Sequence, residues 1–240
     1  MIFLAFLLTA LIGGSNPALV KLATQHYSPA TTVALRFALA ALFILPFVVK
    51  NLSVWKFSKG HLKFLLLTNL MFTGNVLLFA IGIQNTTIIM SQIIYIPTAL
   101  IVGAVGYLFL KEKLSKEQIA GLLLTTIGLS FLIYSSIQKE NIFSLGTPIG
   151  NLLIIGAKIC FALYIIFSRK LGNVFNTLTI TFYNFVAATA FSALFLNIES
   201  IYRPKTTLNF EISAILGILI LALISSVAFY FIYQWVIKKT

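Results

Sequence analysis

Among its 240 residues the sequence has no aspartate, five glutamates, one cysteine and two histidines, and only 9% of its residues are charged. Each shortage closes a class of function. Metal and aspartyl chemistry need clusters of His, Asp and Glu. His26 and His61 fall in loops expected on opposite sides of a membrane, so no metal site and no cofactor is expected. A serine nucleophile would have no histidine base at membrane depth, which removes an intramembrane hydrolase. The lone Cys160 rules out a disulfide scaffold. A soluble domain carries about 25% charged residues, so a water-soluble globular enzyme is excluded as well.

What is abundant is apolar. Hydrophobic residues make up 60%, mean hydropathy is +1.02, and 22 Phe with 9 Tyr exclude disorder. The apolar runs are about 20 residues long, the length of a membrane-crossing helix rather than of a barrel strand. The expected fold class is therefore all-α, a polytopic transmembrane bundle of about eight spans. We place these at 2–20, 29–49, 64–83, 88–110, 119–137, 149–167, 178–196 and 212–236. The first run has no basic leader before it and carries Asn16 and Pro17, so it reads as a retained helix.

The net charge of +12 does not indicate nucleic acid, because the cations sit mostly in short loops between spans. Eleven fall on one side, four on the other, and Arg36 and Lys158 lie within spans. Positive loops mark the cytoplasmic face, so both termini are expected in the cytoplasm of a multi-pass plasma-membrane protein. The lipid bilayer is its expected surrounding.

The chain also repeats itself. Lys21 precedes Ser28-Pro29 as Lys170 precedes Thr177-Leu178, at an offset of 149. Residues 83–86 resemble 237–240 at an offset of 154. A first unit over 1–137, a connection over 138–148 and a second unit over 149–240 follow. A unit of five spans is odd, so the second copy enters the membrane inverted, a pattern common in secondary transporters. The second unit holds only three spans, roughly 50 residues short of the first. The chain is expected to be a fragment or a naturally reduced form.

Several motifs resemble the drug/metabolite transporter superfamily, specifically its EamA-type members. They are Gly14-Ser15-Asn16-Pro17 with Lys21, Ser28-Pro29 with Arg36, and a hairpin with Gly82, Thr86 and Pro97. The hairpin closes on residues 108–115, which include Glu112. Gly150-Asn151, Tyr164 and 168–170 resemble the start of the second EamA repeat. The sequence departs in having no tryptophan before Gly13 and in lacking the last two spans. The resemblance implies a ten-span exporter of metabolites such as amino acids.

Polar side chains at membrane depth are costly and line cavities or meet partners. Asn16 and Pro17 interrupt the first span, and Pro17 frees the carbonyl of Gly13. Arg36 and Lys21 are read either as a pair suited to an anionic group such as a carboxylate or as side chains snorkelling to the headgroups, the reading favoured for Lys21. Lys158 lies near the midplane with no carboxylate in any span; it is expected to line the pathway, the alternative being a neutral amine in a dry site. Gln92, Tyr95 and Pro97 open the fourth span. Asn75 and Asn184 are lone signals, and Tyr164, Tyr230 and Tyr233 fit a cavity or an interface belt. Gly82, Lys21 and Glu112 are gating or structural candidates. Small residues at Ala30, Ala34 and Ala38, and at Ala99 and Gly103, allow close helix packing. They admit a homodimer, although packing within one chain accounts for them. The expected function is secondary transport of small metabolites, by export or exchange. The alternative is a non-transporting remnant or a subunit completed by a partner.

Overall fold

A computed structural model describes residues 2–50, 59–95, 115–117, 119–121, 123–124, 127–128, 146–202 and 212–239. Everything ordered there is helical. The helices are α1 (Ile2–His26), α2 (Pro29–Val49), α3 (Lys59–Gln84), α4 (Ile88–Tyr95), α5 (Pro148–Gly172) and α6 (Thr177–Tyr202). A last span joins α7 (Ile212–Ala222) to α8 (Phe229–Lys239) through a π-helical turn, Leu223–Ala228.

The starts are written locally. Ser28 caps α2 by accepting from the Thr31 amide at 3.1 Å, and Pro29 follows where no amide partner is needed. Thr147 and Pro148 do the same for α5, with Gly150 N–H donating at 3.1 Å. Asn176 caps α6 through the Thr179 amide at 2.7 Å. Gly146 takes φ +68°, and a side chain there would collide with Thr86.

Among the described residues five helices are long and apolar enough to cross a membrane: Pro29–Val49, His61–Gln84, Pro148–Gly172, Thr177–Asn197 and Ala214–Val236. Their outer faces expose Leu42, Phe47, Leu66, Leu152 and Leu216, while Asn, Thr, Ser, Arg36 and Lys158 are buried. Apolar outside and polar inside is the distribution of a bundle solvated by lipid. Several helices extend beyond the spans read from the sequence: α5 runs to Gly172, α6 to Tyr202 and α8 to Lys239. The first helix continues past residue 20 to His26, and α3 starts at Lys59 rather than at 64. Polar ends such as Lys21 and Lys63 continue a helix beyond its apolar run, since backbone hydrogen bonding does not stop where hydropathy does. The fourth span is described only to Tyr95, and the fifth lies largely outside the described residues.

Helix directions follow from the contacts. Lys21 Nζ donates to the Thr86 carbonyl, and Gln84 Nε2 to the Thr24 carbonyl at 2.9 Å, so α1 and α3 run parallel. Gly82 lies against Gly150 and Ile154, and Gly74 against Cys160, so α5 runs antiparallel to α3. Thr147 N–H donates to the Asn85 carbonyl at 2.9 Å and closes that end of the bundle. At the other end Leu65, Leu171, Phe175 and Ile180 form a small apolar cluster. The start of α1 and the end of α8 both reach this second end. Exchanging α1 with α5, α2 with α6 and α3 with the α7–α8 span leaves the set of packed helix pairs unchanged.

Candidate functional site: a cavity around Arg36

One face of α2 carries Val33, Arg36, Phe37, Ala40, Ile44 and Val48, all buried. Their spacing of three and four places Arg36 in the core stripe rather than toward lipid. It borders a cavity of about 360 Å³ between α1, α2, α3, α4, α5 and the last span. Polar lining comes from Thr9, Asn16, Thr32, Arg36, Asn75, Gln92 and Ser225; aromatic lining comes from Phe79, Tyr95, Phe161, Phe229, Tyr230 and Tyr233.

Arg36 is fixed by the π turn. Its Nε donates to Ser226 Oγ at 2.6 Å and its Nη2 to the Ser225 carbonyl at 2.7 Å. A π turn displaces carbonyls from the ordinary helical ladder, which makes one available here. Ser226 Oγ in turn donates to the Leu221 carbonyl at 3.0 Å, so its lone pairs face the guanidinium. Arg36 also lies 5.0 Å from the Phe37 ring centroid. A guanidinium has five N–H donors, and these bonds occupy two.

Around it are buried oxygens without partners: Asn16 Oδ1, Asn75 Oδ1, Thr32 Oγ1 and Ser225 Oγ. A buried amide or hydroxyl left unpaired costs about 1–3 kcal/mol. All four atoms belong to residues that line the one cavity.

The sequence candidates divide clearly. Asn16, Arg36, Asn75, Gln92 and Tyr95 meet at the cavity. Pro17 is buried but not on its wall, and α1 runs through it without a break. The carbonyl used beside it is that of Gly14, which accepts from Gln92 Nε2 at 2.9 Å, rather than that of Gly13. Lys158 lies behind the wall. Its Nζ is 3.0 Å from the Tyr95 ring centroid, 5.1 Å from Phe79 and 5.6 Å from Phe161, and those three rings face the cavity. Tyr164 is also away from the cavity, bonded to Asn184 and Gln234. Lys21 and Gly82 belong to the contacts that tie α1, α3 and α5 at one end. Pro97 and Glu112 lie outside the described residues. Sequence reasoning missed Ser225 and Ser226, whose signal was a pair of adjacent hydroxyls in the middle of the most apolar span. It also missed Thr9 and Thr32, which carried none.

Comparison with known proteins agrees with this architecture. The EamA-like transporter family matches residues 1–134 and 148–240. An uncharacterized transporter of Bacillus subtilis, YyaM, is 25% identical over 99% of this chain and 78% of its own length. An uncharacterized transporter of Archaeoglobus fulgidus is 27% identical over 99% of this chain and 70% of its own. A crystal structure superposes with a TM-score of 0.67 at 18% identity, over 96% of this chain and 79% of that one, and supports the fold. A lipid-facing helical bundle, a polar cavity at its centre and a family match along nearly the whole sequence lead to one conclusion: the chain belongs to the EamA-like transporter family, a family of membrane transporters and not of enzymes.

Proposed function

We propose that this chain is a secondary transporter of small amino acid-like metabolites, exporting or exchanging them across the plasma membrane by alternating access. The observation that carries the reading is the chemistry around Arg36. A cation held by two hydrogen bonds, with three donors left, suits a carboxylate. The unpaired acceptors Asn16 Oδ1 and Asn75 Oδ1 suit the ammonium of the same molecule. None of the described helices around the cavity carries an acid that would neutralise Arg36 instead.

The two halves are read as inverted repeats of 1–137 and 149–240. Support comes from the closed exchange of helix contacts and from the opposite directions of α1 and α5. Such repeats rock about a central site. Lys63, Arg169 and Lys170 lie toward the end where both termini reach, which favours a cytoplasmic assignment of that end.

The test is counterflow in proteoliposomes with a panel of radiolabelled amino acids and other small carboxylates. At least one is expected to exchange, and Arg36→Met is expected to abolish that exchange. Exchange that survives Arg36→Met unchanged removes the carboxylate assignment. Preference for cationic or neutral solutes removes the substrate class.

A further inference from the structure

A second polar region lies in the bundle, and it is closed. Gln234 Nε2 donates to Tyr164 Oη and, at 3.1 Å, to Ser168 Oγ. Asn184 Nδ2 donates to Tyr164 Oη at 3.4 Å. All four side chains are at most 2% exposed. Beside them on α6, Thr181 Oγ1 and Asn184 Oδ1 are buried without a partner; one helix over, so are Asn69 Oδ1 and Thr73 Oγ1 of α3. A plate of rings separates it from the cavity: Phe72 lies 5.3 Å from Phe37, 4.8 Å from Tyr230 and 5.4 Å from Tyr164.

Unpaired hydroxyls are not the habit of these helices. Thr68 donates to the Phe64 carbonyl at 2.7 Å, Thr189 to the Phe185 carbonyl at 2.9 Å and Ser192 to the Ala188 carbonyl at 2.5 Å. Bonding back one turn is open to any helical Thr or Ser. Thr32, Thr73 and Thr181 decline it. Thr32 lines the cavity, and the repeat offset of 149 carries Thr32 onto Thr181. The same position is therefore open to a cavity in the first half and shut in the second.

We propose that the Tyr164–Ser168–Thr181–Asn184–Gln234 cluster is a second vestibule of the pathway, collapsed in this conformation. It takes up water and the neutral hydrogen-bonding groups of the solute when the bundle opens toward the Phe175 end. The five named side chains carry no charge, and the cations Lys63, Arg169 and Lys170 lie toward the same end. The inference rests on the inverted-repeat transporter reading and extends it to named residues.

The experiment uses single cysteines in a Cys160→Ala background in membrane vesicles. The probe is a membrane-impermeant trimethylammonium-ethyl methanethiosulfonate. Thr181→Cys and Asn184→Cys are compared with Ala188→Cys, a fully buried packing position on the same helix. A minor open state populated at a per cent or so makes the two vestibule cysteines react at least about tenfold faster than the packing control, from the Phe175 side. Equal rates for all three overturn the vestibule. They leave the transporter reading standing, because that depends on substrate exchange. Two vestibule positions are used so that one misfolded variant does not decide the matter, and folding of each is checked by its melting temperature in detergent.

Discussion

Arg36 and Lys158 are both cations buried in the same bundle, and they are held in opposite ways. Arg36 is bound by oxygen: a serine hydroxyl and a displaced carbonyl fix its fork and leave its remaining donors to the cavity. Lys158 is bound by carbon, with the faces of Tyr95, Phe79 and Phe161 around its amine and those rings between it and the cavity. A guanidinium held by hydrogen bonds is oriented and can recognise; an ammonium held by rings is enclosed and can only contribute charge. Position in a span does not distinguish the two, but the chemistry of the immediate neighbours does.

This contrast can be broken at its strong end first. Arg36→Met removes a charge-assisted fork worth about 3 kcal/mol, so carboxylate affinity in proteoliposomes should fall about 100-fold. Arg36→Lys should recover only a small part, because a point charge cannot span both π-turn acceptors. Tyr95→Leu removes the ring nearest the Lys158 amine. A desolvated cation–π contact is worth about 2 kcal/mol, and a drop in melting temperature in detergent reads its loss. An unchanged melting temperature would mean that the ring does not hold the amine. Ser226→Ala leaves Arg36 charged but loosens its fork; about 1 kcal/mol, or a several-fold weaker affinity, is expected with transport retained. Lys158→Met has the smallest effect on the fold. Replacing an amine without a carboxylate partner by an isostere of similar length should leave the melting temperature level or higher. A large loss of stability there would show that the ring contacts of the amine outweigh the cost of burying it.

The sequence made the helices legible because apolar length is a local property. The Ser28-Pro29 cap and the core stripe through Arg36 were legible for the same reason. Depth within the bundle was not. Lys158 and Phe161 are three residues apart on one helix face, yet only Phe161 reaches the cavity, since it covers the lysine. Pro17 promised a break that α1 does not show; the carbonyl it frees is that of Gly13, while Gln92 bonds the one beside it, at Gly14. The second polar region escaped notice because its members lie on three different helices. Tyr164 and Asn184 were singled out separately, and nothing in the sequence joins them.

The π turn has a consequence for the shape of the last span. A wider turn acts as one inserted residue, and each residue advances a helix by about 100°. Everything after Leu223–Ala228 is therefore rotated by that phase relative to an unbroken helix continuing from α7. Tyr230 and Tyr233 reach the cavity in that rotated register. Deleting one residue within the turn would conserve every side chain named at the site. It would still dismantle the wall, by dialling two tyrosines about a quarter-turn away from it.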